Sequence, residues 1–483
     1  MNLKLKKAYS ACKSKLIALN YAQRPGWFDW AFAVILFAAA SLFFCCSDDL
    51  ITTAWNVDEL IDAIFQGDFF HFYSRALARA LDGSHPLGTQ IDYAAYYNIV
   101  IYLIFAVCFL PLKAISWAFH TGISSFVFVT YGKLVIAAFV LLCAYFLFRL
   151  SGKLGMNRQK SLWTVFLFLS SSTMLFGSVL FGQYDALSSL FTIISLLFFM
   201  DKKYYRFCLV MALAICCKVF ALFIFIPLIL LIEKRILHII KYLLCGVSGL
   251  LFTRFLFLWD EGYAITQKSL NELFGFSDRL FEKGIPGAHG NIGLFLFVFL
   301  AVCMFCYFIN PPEEKRCSYI ISIPVIVYGS FFLFVSWHPQ WPMIITPFVA
   351  LAIMSCRNIK TALLVDFGIC AGHIAVAALN GTGCDIYIVN GGILPYIFGE
   401  KYRGISFVYL YEKLGLPLVV PATVFAVCLA FFIWLVFYNQ YKNNFSGIQA
   451  EKTEIDRGIL WLRASAILLY IIPSLALYFW ELR

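Results

Sequence analysis

The sequence predicts an all-α, polytopic membrane protein of about 12–14 transmembrane helices, built as a single multi-span domain over residues 1–483. Three observations predict it. The chain is 62% hydrophobic and 13% charged, with a mean hydropathy of +0.83, where a soluble domain carries about 25% charged residues. Apolar runs of about 20 residues recur, the length a helix rising about 1.5 Å per residue needs to cross about 30 Å of hydrocarbon. The basic residues gather in the short polar segments between those runs, the signature of cytoplasmic loops.

In order, spans are expected at 27–46, 97–119, 127–150, 161–180, 186–200, 236–258, 292–310, 317–336, 341–356, 361–380, 416–438 and 459–480. The stretch 207–232 is too long for one short span, carries Lys218 at its middle and has bases at both ends, so it reads as a helical hairpin turning at Lys218. Residues 1–26, with Lys4, Lys6, Lys7, Lys13, Lys15 and Arg24, read as a cytoplasmic tail and not as a cleavable signal peptide, because a full span follows them.

Positive-inside bias assigns Arg149/Lys153/Arg158/Lys160, Lys202/Lys203/Arg206, Lys234/Arg235, Lys315/Arg316 and Arg357/Lys360 to the cytoplasmic face. The 47–96 loop, Gly182 to Asp185, the 259–291 loop, Trp337 to Trp341 and the 381–414 loop then face outward. One conflict follows. Two crossings between 97 and 150 would carry the 149–160 bases to the outside, so one segment there is re-entrant or an extra crossing is hidden.

The net charge of +10 is accounted for by the tail and short loops facing anionic headgroups, and no nucleic-acid partner is expected. Most of the 16 cysteines, such as Cys45, Cys46, Cys216, Cys217, Cys303 and Cys306, sit in apolar runs and act as small hydrophobes. No CxxC pair has metal-ligand spacing, so neither a zinc site nor a disulfide framework is expected. No Gly-rich nucleotide loop is present.

Candidate chemistry concentrates in the outer loops. In 47–96, Leu60, Ile61, Ile64 and Phe65 recur at helical spacing, predicting an amphipathic surface helix with Asp58 and Glu59 at its N-terminus. A carboxylate held ionised there is a candidate general base. Asp48, Asp49, Asp62 and Asp68 read as the ordinary acids of a solvated loop. Asp185 lies at a span mouth, facing protein or a watery cavity, or else serving the first turn of a helix. Lys218 needs a partner such as Asp185 or a lipid phosphate, or else snorkels to the interface. Trp337 and Trp341 are interfacial aromatics, while His338 and Gln340 between them are candidates for binding sugar hydroxyls or a phosphate. Arg279, Lys283 and His289 make the 259–291 loop unusually basic for that face, with Glu272, Asp278 and Glu282 as their alternative partners.

The chain resembles the membrane-embedded glycosyltransferases of the GT-C class, which include protein O-mannosyltransferases and the aminoarabinose transferases of lipid A. The resemblance lies in Asp58-Glu59 after the first span, the Gly67-Asp68 turn, the Tyr93 to Tyr102 stretch, Gly182-Gln183-Tyr184-Asp185 and Lys218 between two short helices. The Tyr-Pro-Pro usual in that class at the next span is replaced here by Asp92-Tyr93-Ala94-Ala95-Tyr96-Tyr97. The resemblance implies a GT-C-like fold and transfer of a sugar, of hexosyl or mannosyl type, from a polyprenyl-phosphate donor to a glycan, lipid or protein acceptor hydroxyl, by inverting displacement. It implies Asp58 and Glu59 as catalytic carboxylates, and Lys218, Arg279, Lys283 and His289 on the donor phosphate. Gln183, Tyr184, Asp185, His338 and Gln340 are expected on the substrates, with no metal and no cofactor. A cell-envelope glycan at the outer face of a plasma membrane is the expected setting. Two alternatives stand: a flippase or transporter of lipid-linked glycans, disfavoured because no half-to-half repeat is visible, and a polysaccharide polymerase or ligase working through the late 381–414 loop with Asp385, Glu400, Lys401 and Arg403.

Overall fold

Helices dominate the computed structural model, which describes residues 21–274, 276–287, 290–379, 384–415, 417, 419–442, 445, 448 and 454–482. The chain is an all-α polytopic membrane protein. Among the described residues, six helices are long and apolar enough to cross a bilayer: α4 (Ile99–Phe119), α5 (Ser125–Lys153), α10 (Ile236–Leu256), α16 (Ile359–Leu379), α17 (Val419–Lys442) and α18 (Arg457–Glu481). Shorter apolar helices run among them: α1 (Trp27–Phe43), α7 (Asp185–Met200), α8 (Tyr204–Cys217), α9 (Leu222–Ile232), α13 (Leu294–Phe308), α14 (Glu313–Phe334) and α15 (Thr346–Ser355). α6 (Arg158–Leu169) and the segment Ser172–Leu180 form one passage bent by 44°.

The predicted spans thus reappear as helices within a few residues of their expected ends. The hairpin at 207–232 is also present. α8 ends at Lys218, whose backbone is extended, and α9 returns beside it with Phe207 and Phe225 in ring contact.

All the short basic segments meet at one end of the bundle. Lys153 and Lys203 pair with Asp201, Lys202 with Glu313, and Lys234 donates to the Cys306 carbonyl, while Lys360 lies 3.9 Å from Asp456. The two-residue strand Tyr21–Ala22 pairs with Ile455–Asp456 there, so the chain enters α1 from this basic end.

At the opposite end, α2 (Ser47–Phe65), α3 (Phe72–Leu81), α11 (Glu261–Phe274) and α12 (Phe276–Glu282) form a polar layer. The strands Gly284–Gly287 and Gly290–Gly293 close it as a hairpin. Asp260 stitches the two loops together by accepting from the backbone N–H of Tyr73 (3.0 Å) and from the Ser74 hydroxyl. Gly262 is required at this seam, since a Cβ would stand 2.4 Å from the Ser74 backbone.

Two expectations are corrected here. The surface helix of the first loop starts at Ser47, not near Asp58. Leu50, Ile51, Ala54, Val57, Leu60 and Ile61 are buried at spacings of three and four, so the apolar stripe extends almost three turns further back than the residues that suggested it. Asp58 and Glu59 therefore sit mid-helix, away from any helix N-terminus.

The second concerns the topological conflict between 97 and 150. α2 and α4 run parallel: Asp58 and Asp62 meet Lys113, and Phe65 meets Trp117 near their far ends. α4 therefore runs in the same direction as α2 and ends beside it. α5 alone then carries the chain down to the basic end, where Lys153 meets Asp201.

One buried ion pair joins the membrane-spanning helices α16 and α18. Arg463 Nε lies 2.6 Å from Asp366 Oδ2, with side-chain exposures of 0% and 3%. Arg463 Nη1 also donates to Ser170 at 3.0 Å, at the bend that follows α6.

Candidate functional site

Two polar clusters lie at the end opposite the basic loops. The first is built where helices break. Residues Leu175–Leu180 form a π-helical turn, packed so closely on the next loop that a Cβ on Gly177 would stand 2.7 Å from the Gln340 carbonyl oxygen. Gly182, at φ +81°, then reverses the chain, a conformation that favours glycine. This turn presents Gln183, whose amide donates to the Asp49 carboxylate in the first turn of α2.

Two residues on, Asp185 opens α7 and is 2% exposed. Its Oδ1 lies 3.0 Å from Lys218 Nζ, while Oδ2 has no protein partner. The ammonium in turn lies 5.3 Å from the centre of the Trp341 ring and 5.4 Å from that of Phe220. A partly buried ammonium held by one carboxylate and two rings is satisfied electrostatically within the protein.

Tyr184 meets Tyr97 edge to face, with ring centres 4.8 Å apart. Burial pushes the Tyr97 hydroxyl well above its ordinary pKa, and the Asp49 carboxylate adds to the shift.

The upper wall of this cluster is basic. Arg279 of α12 lies 3.4 Å from His338 Nε2, and the His338 ring packs on Trp341. Burial, with Arg279 and Lys218 nearby, depresses the His338 pKa to about 4, so the ring is neutral at physiological pH. Glu282 holds α12 over this loop by accepting from Ser336 at 2.6 Å.

The fold therefore brings together Gln183, Tyr184, Asp185, Lys218, Arg279 and His338 from four separate segments. Gln340 joins them through its backbone on Gly177, and its Oε1 is buried without a partner. Lys283 points to solvent as an exposed residue, and His289 lies outside the described residues. The Asp385 side chain lies outside them too.

Asp58 and Glu59 belong to the second cluster. Asp58 Oδ1 binds Lys113 at 2.6 Å and its Oδ2 lies 3.6 Å from Arg79. Glu59 binds Arg75 at 2.5 Å and Arg79 at 2.7 Å through its two oxygens. Asp62 shares Lys113 at 2.8 Å. Carboxylates whose oxygens are taken up by cations hold α2, α3 and α4 together. A general base instead needs a lone pair directed at its acceptor.

Beside Asp185, a second carboxylate that meets the first cluster is Asp49, which the pattern of loop acids does not single out. The signal was present in α2 itself, where Asp49, Thr53 and Asn56 share one face at helical spacing and continue the line from Gln183. No protein-family model matches the chain, and no curated protein matches it.

Proposed function

We propose that the chain is a membrane glycosyltransferase that moves a sugar from a polyprenyl-phosphate donor to an acceptor hydroxyl. One observation carries the reading: an acid, Asp49, and a basic group made of Lys218, Arg279 and the neutral His338 converge at helix breaks near one membrane surface. A transferase with a lipid-linked donor needs these two functions side by side, a base for the acceptor and cations for the departing phosphate. Positive-inside bias supports placing the basic end in the cytoplasm and this site on the outer face.

In this scheme Gln183 orients the Asp49 carboxylate, which takes the proton of the acceptor hydroxyl. The hydroxyl oxygen attacks the anomeric carbon, the bond from that carbon to the phosphate oxygen breaks, and polyprenyl phosphate leaves with the electron pair. Lys218 and Arg279 meet the charge that builds on the phosphate, and charge-assisted hydrogen bonds of this kind are among the strong ones. The Lys218–Asp185 pair keeps the ammonium in place between turnovers. In this scheme the role expected of Asp58 passes to Asp49, because Asp58 belongs to the ion-pair cluster of Lys113 and Arg79, while Asp49 meets the Gln183 turn that leads to Asp185 and Lys218.

The test is sugar transfer in proteoliposomes from a panel of polyprenyl-phosphate monosaccharides, wild type against Asp49→Asn. Transfer lost in the variant at unchanged folding supports the reading, and transfer from no donor refutes it.

A further inference from the structure

At the basic end of the bundle, away from the proposed transfer site, a cleft of about 280 Å³ lies between α13, α14 and α17. Ser322, Ile323 and Gln440 form its buried floor, and Phe297, Phe305 and Tyr441 stand exposed along its rim. An opening rimmed by exposed rings on membrane-spanning helices faces lipid. From Phe305 to Phe297 the cleft follows α13 for eight residues, a rise of about 12 Å. That is most of the ~15 Å that one leaflet contributes to a hydrocarbon core of about 30 Å. Phe305 lies within a turn of the end of α13 at Phe308, so the cleft belongs to the leaflet on the basic side.

Cations flank its mouth. The Gln440 amide donates to the Ser318 hydroxyl at 2.6 Å, which sets the start of α14 level with the end of α17. There Lys315 precedes Tyr319 and Ser322 by four and seven residues, and Arg316 precedes Tyr319 and Ile323 by three and seven. Both therefore stand on the face of α14 that lines the cleft. Among the described side chains neither pairs with an acid, since Glu313, one turn before Arg316, is held by Lys202. Lys234 stands close by, its ammonium donating to the Cys306 carbonyl at 2.6 Å and the Leu230 carbonyl at 2.7 Å. Burial pushes the Lys234 pKa down, and the Arg316 charge adds to the shift. Basic groups gathered between spans at the cytoplasmic surface are sites for anionic headgroups.

We infer that the cleft binds one anionic glycerophospholipid from the leaflet at the basic end. One acyl chain lies between α13, α14 and α17, and the phosphate meets Lys315 and Arg316, with Lys234 beside them. The length of the cleft suits a chain confined to one leaflet and not the much longer tail of a polyprenol. Positive-inside bias puts the anionic leaflet on this same side. The inference does not rest on the transferase reading, because the site lies at the other end of the bundle and the lipid is held there as part of the folded protein.

In the experiment, the full chain in neutral-detergent micelles is titrated with phosphatidylglycerol or phosphatidylcholine of identical acyl chains, and bound lipids are counted by native mass spectrometry. One retained phosphatidylglycerol is expected, bound at least about tenfold more tightly than phosphatidylcholine. The double variant Lys315→Gln/Arg316→Gln should lose about thirtyfold in that affinity, while Arg316→Lys keeps most of it. Ala301, exposed on the wall of the cleft, carries no charge. Ala301→Trp fills the cleft and should abolish retention too, with thermal midpoints confirming that each variant folds. Equal retention of the two lipids, or phosphatidylglycerol bound unchanged in either the charge variant or the cleft variant, overturns the inference. So does its displacement by equimolar polyprenyl phosphate, which would give the cleft to a donor lipid. Sugar transfer enters none of these outcomes, so the lipid site and the transferase reading fail separately.

Discussion

Arg463 and Asp366 meet at 2.6 Å inside the bundle, at 0% and 3% side-chain exposure, so neither charge has water to fall back on. Replacing Arg463 with Met keeps the length and volume of the side chain while leaving the Asp366 carboxylate without its cation and Ser170 without its donor. Breaking one partner of a buried pair costs about 3–5 kcal/mol, whereas replacing both with apolar groups is neutral or stabilising by about 1–4 kcal/mol. Arg463→Met and Asp366→Leu should therefore each destabilise by about 3–5 kcal/mol, and the double variant should recover most of that loss. The assay is reversible unfolding in mixed micelles with increasing SDS, read by tryptophan fluorescence and analysed as a double-mutant cycle. Single losses under about 1 kcal/mol, or a double loss equal to the sum of the singles, would show that the pair does not hold the bend after α6 as described.

Lys218→Met should destabilise by a similar amount, about 3–5 kcal/mol, because Asp185 would keep its charge at 2% exposure. Adding Asp185→Asn should restore unfolding stability but not sugar transfer, which separates the structural from the chemical duty of the lysine. Gly177→Ala forces a methyl group toward the Gln340 carbonyl at 2.7 Å, and overpacking of this kind costs about 1–3 kcal/mol. Its thermal midpoint should fall, and transfer should fall further than the stability loss explains. Acidification tests the two loop histidines. His85 and His338 have folded pKa values of about 4, below the ordinary 6.5, so the fold favours their neutral forms. Their contribution is fully present above pH 6.5 and is lost as the pH falls from 6.5 toward 4. The thermal midpoint of wild type should drop between pH 7 and pH 5, and the drop should shrink in His85→Phe and His338→Phe.

Where the chain is apolar over a membrane's thickness, the sequence is nearly sufficient, because hydropathy and helix length answer to the same 30 Å of hydrocarbon. The hairpin at Lys218 was legible for a related reason: a lone ammonium in an apolar run must end a helix or find a partner, and here it does both. Asp185, its partner, was among the residues expected to meet it.

The acids of the first loop were less legible. Asp58 and Glu59 stand out in the string of letters, but Lys113, Arg75 and Arg79 reach them from α4 and α3, and periodicity within α2 contains nothing of that. Asp49 reads as one more loop acid until the reversal at Gly182 brings Gln183 against it. Asp366 and Arg463 stand 97 residues apart in the chain, each inside an apolar run, and only their helix packing shows that one answers the other. The direction of α4 depended likewise on its parallel contact with α2, since hydropathy alone makes it a span.

The most direct test of the account compares Asp49→Asn with Asp58→Asn in one transfer assay, with polyprenyl-phosphate sugars in proteoliposomes at matched expression and folding. The account predicts that Asp49→Asn abolishes transfer, while Asp58→Asn retains it with a modest loss of stability, because Lys113 keeps Asp62 at 2.8 Å. Full transfer by Asp49→Asn together with none by a folded Asp58→Asn would contradict it and return the role of base to the ion-pair cluster.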